Sequence, residues 1–160
     1  MGTMAMFKHI LVATDFGQTS ESALELALAL AARFESKVTL IHVWEFPNYE
    51  YLDGAPMPND YAEQVAESAR KRMAATIGAI SERCPNARSI VKMGIVWSEV
   101  LSAIEDTHAD LLVVGTHGRR GFKRAILGSV AEKLVRLSPV PVLTAHGVEK
   151  STLPGTARLA

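Results

Sequence analysis

Five short apolar runs set the terms on which this chain can fold. They are HILVAT (His9–Thr14), KVTLIHVW (Lys37–Trp44), SIVKM (Ser89–Met93), DLLVVG (Asp110–Gly115) and VPVLTA (Val140–Ala145). Their apolar positions are continuous rather than alternating, which suits strands covered on both faces, as in a parallel sheet. Helical periods lie between them. Ala23, Leu26, Ala27, Leu30 and Phe34 share one face of a first helix that Thr19 or Ser20 can cap. Tyr61, Val65, Ala69, Met73, Ile77 and Ile80 form a second stripe ending near Pro85. Val100, Leu101 and Ile104 mark a shorter third helix, and Val130, Leu134 and Leu137 a fourth, stopped by Pro139. The order β-α-β-α-β-α-β-α-β predicts an α/β three-layer sandwich, a five-stranded parallel sheet with helices on both faces.

Composition narrows the function. The chain has 160 residues, enough for one domain with a real core. Its 17 basic and 17 acidic residues balance, so no nucleic-acid or membrane-surface partner is expected. No apolar run approaches the ~20 residues that span a bilayer. The apolar run at the start continues directly into the first strand and does not read as a secretion signal, so a cytoplasmic protein is expected. Cys84 is the only cysteine and is expected to be an inert small residue.

In open parallel sheets, ligands bind beyond the carboxyl ends of the strands, where strand order reverses. Two stretches rich in small and polar residues follow strand ends: TDFGQTS after strand one and GTHGRRG after strand four. If those strands are neighbours, both stretches face one crevice. The second belongs to GTHGRRGFKRAILGSVA, which enters a helix at about Gly128-Ser129. A helix start offers unpaired N–H groups and a positive dipole end to an anion, and glycines let backbone approach it. The spacing matches neither GxxxxGK[ST] nor GxGxxG. A glycine loop between strand and helix also occurs with no ligand at all, so the pattern alone leaves phosphate binding and plain packing open.

Gly115-x2-Gly118-x9-Gly128-Ser129 resembles the nucleotide-binding signature of the universal stress protein family. ILVATDFGQTSESALELALALAARFESKVTLIHVWE, HADLLVVGTHGRRG and LGSVAEKLVRLSPVPVLTA resemble further parts of that family, so the likeness runs from Phe7 to Ala145. It implies strand order 3-2-1-4-5 and a nucleotide-binding domain over 7–145, which leaves an N-terminal extension over 1–6; the tail over 146–160, with Gly147, Pro154 and Gly155 and no apolar period, is expected to be mobile. It also implies ATP, or ADP or AMP, as ligand, with Mg²⁺ or Mn²⁺ as a possible companion of the phosphates. Carried over by position, Thr14 and Asp15 would meet the ribose side of the crevice, and the Val43 backbone the adenine edge. Gly115, Thr116, His117, Gly118 and Arg119 would pass under the ribose and phosphates, and Gly128, Ser129 and Val130 would hold phosphate oxygens. Ala131 stands where some ATP-binding members place a hydroxyl. Family members commonly pair their last strand across a two-fold axis, which implies a homodimer through Val140–Ala145. The function implied is a nucleotide-dependent regulatory or sensor module acting on a regulatory protein partner.

Other readings stay open beside it. Asp15 can simply cap its turn, and His42 reads better as a satisfied interior histidine than as a ligand. Arg119, Arg120, Lys123 and Arg124 can be a solvated face. The segment 45–59 is either a lid or a variable loop. No GxSxG elbow, HExxH, SGGxDS or HxGH motif occurs, which leaves a slow ATPase or nucleotide-transfer enzyme as one rival. A dimeric interaction protein that uses no nucleotide is the second, and a flavin module a distant third.

Overall fold

The computed structural model describes residues 6–46, 60–117 and 127–147. The elements are β1 (His9–Ala13), α1 (Gln18–Phe34), β2 (Lys37–Trp44), α2 (Tyr61–Ile80), β3 (Arg88–Met93), α3 (Val96–Thr107), β4 (Leu111–Gly115), α4 (Ser129–Leu137) and β5 (Val142–Ala145). The strands form one parallel sheet in the order β3-β2-β1-β4-β5. Expected architecture and strand order are both observed.

Side-chain alternation along the central strands builds the two halves of the core. Ile10 and Val12 of β1, with Val38 and Leu40 of β2, meet Ala23, Ala27, Leu28 and Ala31 of α1 and Met73 and Ile80 of α2. The intervening Leu11 and Ile41 point the other way, onto Val100, Ala103 and Ile104 of α3 and Ala131 and Leu134 of α4. Hence β1 is apolar at successive positions: Ile10, Leu11 and Val12 are each fully buried. Alanines line the inner face of α1 because the helix lies directly on the sheet, and large side chains there would hold it off.

β1 ends one residue earlier than expected, β3 begins one earlier and β4 one later, and three further details of the element ends were not readable from the sequence. Gly17, not Thr19 or Ser20, is the N-cap of α1, and Ser20 sits in the first turn, where its hydroxyl donates to the Gly17 carbonyl at 2.8 Å. The third helix starts at Val96, so Trp97 lies inside its first turn. Its N-cap, Ile95, offers no side-chain acceptor, which is why the sequence carries no start signal there. The last strand begins at Val142, two residues late, because Pro139 and Pro141 lack the N–H groups a longer ladder needs. No helix among the described residues is long and apolar enough to cross a membrane.

Candidate functional site

Strand order reverses between β1 and β4, which lie side by side at the centre of the sheet. The turn after β1 and the segment after β4 therefore leave the sheet at the same end and next to each other. Each is knotted by its own side chains.

After β1 the chain turns at Thr14–Gly17. Asp15 Oδ1 accepts the Gly17 N–H at 2.8 Å and the Ser20 hydroxyl at 2.9 Å. Thr14 Oγ1 accepts the Phe16 N–H at 3.0 Å and donates to Ser20 Oγ at 3.2 Å. These bonds hold Phe16 at φ 61°, a left-handed conformation costing a bulky residue about 1–2 kcal/mol. The strained residue is positioned by design of the turn: its ring lies 4.5 Å from the His42 ring, and the Arg72 guanidinium sits 4.0 Å over it.

After β4, Thr116 is the fixed point. It is 2% exposed, and its N–H donates to the Ala145 carbonyl at 2.9 Å. Its carbonyl accepts the Gly128 N–H at 2.7 Å, which ties the start of α4 to the end of β4. Its hydroxyl lies 2.9 Å from His117 Nδ1 and 3.4 Å from His146 Nδ1. The Thr19 hydroxyl donates to the His117 carbonyl and so joins α1 to the same knot. His117 Nε2 is the one buried side-chain polar atom among the described residues with no hydrogen-bond partner. Leaving such an atom unmatched costs about 1–3 kcal/mol, so the position is suited to a partner from outside the chain.

At the start of α4, Gly128 is the N-cap and no side chain caps the helix. The first intrahelical bond runs from Glu132 N–H to the Gly128 carbonyl at 2.8 Å. The N–H groups of Ser129, Val130 and Ala131 precede it and have no acceptor within the helix. Ser129 is exposed, so its hydroxyl stands beside these donors. Ala131 is 5% exposed and packs among α3 and the sheet, where a larger polar side chain would find a crowded apolar surround. Val130 is 36% exposed.

Val43 contributes backbone. Its side chain is buried in the α3–α4 half of the core. The last β1–β2 bond runs from Thr14 N–H to the Ile41 carbonyl at 2.9 Å, so ladder alternation aims the N–H and C=O of Val43 to the same side. By then β1 has left the sheet. The next acceptor in line, the Thr14 carbonyl, is engaged by His42 Nδ1 at 2.8 Å. A donor and an acceptor of Val43 thus face the space above the end of β1.

Gly115 has a packing reason to be glycine. A Cβ there would lie 2.5 Å from Thr19 Oγ1 and 2.8 Å from the Thr19 carbonyl carbon, so only glycine lets the first turn of α1 rest on β4. Gly118, Arg119, Arg120, Lys123 and Arg124 lie outside the described residues, as do 47–59, and no structural account attaches to them.

A cavity of about 560 Å³ opens on the α2 side of the β1 turn. Asp15 stands at its border with the crevice, and Phe16, His42, Trp44, Tyr61 and Arg72 line its walls. Sequence reasoning set His42 aside and singled out none of the other four as site residues. The only available signal was the Asp-Phe-Gly turn, and its left-handed Phe is not readable from residue type.

The crevice and its two knotted turns define a doubly wound α/β domain with an anion-receptive helix start at the switch point. The sequence model of the universal stress protein family matches residues 6–146. This chain belongs to the universal stress protein family. It is similar to "Universal stress protein MJ0577" of Methanocaldococcus jannaschii, 27% identical with 86% of this chain and 94% of the relative covered. It is 32% identical to "Universal stress protein A homolog 1" of Coxiella burnetii, again covering 86% and 94%. The solved structure of MJ0577 superposes with TM-score 0.77 at 28% identity, covering 88% of this chain and 96% of that one. A universal stress protein solved in complex with cAMP shares the fold at TM-score 0.64 and 20% identity, covering 88% and 98%.

Proposed function

We propose that this protein binds ATP, or another adenine nucleotide, in the crevice between β1 and β4 and acts as a nucleotide-dependent regulatory module. One observation carries the reading: the Gly128 N–H bond to the Thr116 carbonyl ties the start of α4, whose first three N–H groups have no acceptor within the helix, to the end of β4 at the strand-order reversal. An anion there gains short charge-assisted bonds and the positive end of the α4 dipole. The signature-like Gly115-x2-Gly118-x9-Gly128-Ser129 names the anion as a nucleotide phosphate chain. The Val43 N–H and C=O form the donor–acceptor pair that the edge of adenine matches. Asp15 lies between the two and suits the ribose hydroxyls. His117 Nε2 is a further donor for a phosphate or ribose oxygen.

The universal stress protein solved in complex with cAMP shares its architecture with this chain at 20% identity. The case rests on the chain's own residues. Among the described residues no group of three or more His, Cys, Asp or Glu side chains could hold a metal ion. In this reading a divalent ion would travel with the phosphates, with Asp15 as the nearby carboxylate. Dimerisation through β5 belongs to the same reading, with a regulatory protein responding to the loaded state in the cytoplasm.

The test is a panel titration of nucleotide-free protein with ATP, ADP, AMP and GTP. ATP is expected to bind more tightly than GTP, because the Val43 edge pattern is reversed for guanine. Equal affinities would remove the adenine assignment, and no binding by any of the four would remove the reading.

A further inference from the structure

We propose that the cavity on the α2 side of the β1 turn is a separate ligand site for a planar aromatic molecule carrying a negative charge. It shares Asp15 with the nucleotide crevice but none of the α4 or β4 residues, and it does not rest on the nucleotide reading. Its volume, about 560 Å³, falls within the range of small-molecule sites.

Shape comes from rings. Phe16 is held in its left-handed conformation by Asp15 and Thr14, and its ring is packed against His42. Trp44 and Tyr61 supply further flat apolar wall, their ring centroids 6.4 and 6.2 Å from that of Phe46. Aromatic walls of this kind select flat guests.

Charge comes from Arg72. The carboxylates of α2 are already used: Glu63 and Glu67 pair with Arg70, and Glu67 with Lys71. Arg72 meets no carboxylate among the described residues, and its guanidinium lies on the Phe16 ring at the cavity wall. A cation stacked on an aromatic face keeps its donor edge open, and that edge fits a carboxylate or sulfonate bidentately. Among the described residues the one acid at the cavity is Asp15, whose Oδ1 is committed to Gly17 N–H and Ser20 Oγ. Ser68, one turn before Arg72, adds a hydroxyl to the same wall.

Calorimetry of the full chain with 2-naphthoate, and with the neutral isostere 2-naphthamide, tests this. Naphthoate is expected to bind saturably and at least about tenfold more tightly than naphthamide, the worth of one charge-assisted contact. Arg72→Gln should erase that preference, and Ser68→Trp, which fills the cavity from an exposed helix position, should block both compounds. Thermal melts confirm that each variant folds, and each should bind ATP as the parent does. No saturable naphthoate binding, equal binding of the two compounds, or binding that survives Ser68→Trp would overturn the proposal. Failure of ATP to bind the parent would count against the nucleotide reading and leave this one standing.

Discussion

Gly128 donates its N–H to the carbonyl of Thr116 across 2.7 Å, and this single bond ties the start of α4 to the end of β4. Thr116 is held on the other side by Ala145 of β5, so the start of α4 is referenced to the sheet itself. The first N–H groups of α4 thereby keep a fixed position relative to the sheet, the preorganisation that the proposed phosphate contact would reward.

Gly115→Ala is expected to destabilise the fold by about 1–3 kcal/mol, the usual cost of forcing a methyl group into a filled contact. The new Cβ would meet backbone as well as the Thr19 side chain, so no rotamer change relieves it. Gly78→Ala in α2 should do the opposite. Nothing lies within 4 Å of its would-be Cβ, and alanine gains about 0.5–1 kcal/mol over glycine in a helix. Urea unfolding of the two variants checks both signs in one experiment.

Ser20→Ala removes a 4%-exposed hydroxyl that donates to Asp15 Oδ1 and the Gly17 carbonyl and accepts from Thr14. A loss of about 1–2 kcal/mol is expected. Since the same turn holds Phe16, the variant should also raise amide-exchange rates at Phe16 and Gly17, measured by hydrogen exchange.

His9 predicts a pH dependence. Its Nδ1 lies 2.9 Å from the Thr107 carbonyl, so that nitrogen carries the proton, and Nε2 accepts from Thr39 Oγ1 at 2.8 Å. Burial, outweighing the Thr107 carbonyl, lowers the pKa of His9 below its ordinary value. The unfolded chain then binds the proton more readily than the folded one. The contribution of the neutral ring is present above the unfolded pKa of about 6.5 and is lost as pH falls from there through the folded value. In His9→Gln the decline in stability on acidification below about pH 6.5 should be shallower, as read from melting temperatures across that window.

Edge geometry offers a test of the proposed dimer contact. Pro141 and Ala145 accept bonds from β4, so alternation turns the N–H and C=O groups of Val142 and Thr144 outward along the open edge of β5. Thr144→Pro removes an outward donor without touching the β4 ladder. A dimer through this strand should dissociate in that variant while melting cooperatively, as followed by analytical ultracentrifugation. An undiminished dimer would place the interface elsewhere.

Much of this structure was legible from residue order, for reasons that particular residues make plain. Ile10, Leu11 and Val12 are apolar in succession because β1 is covered on both faces, and that pattern alone points to a parallel sheet. Thr14, Asp15 and Gly128 could be placed at the crevice because turns at strand ends concentrate such residues. Their division of labour could not. Thr116 has all its polar atoms engaged within the chain, and Gly115 is occupied with packing, so the groups left for a ligand are largely backbone N–H groups that no residue type advertises. Phe16 is a similar case: its conformation depends on four hydrogen bonds from three side chains, a tertiary arrangement with no linear signature. His42 read as an interior histidine, and its Nδ1 does bond backbone, yet its ring also lines the cavity.

The most direct measurement is calorimetric titration of nucleotide-free protein with ATP, beside a variant carrying Gly128→Val and Ser129→Ala. Neither residue lies in the core, and Gly128 has φ −61° and ψ 155°, a backbone conformation valine accepts, so the variant should retain its fold. Binding by the parent that is lost or weakened at least about tenfold in the variant is the predicted result, reflecting removal of one or more phosphate contacts. Absence of binding to the parent at millimolar ATP with Mg²⁺ present, or equal binding by parent and variant, would contradict the central claim.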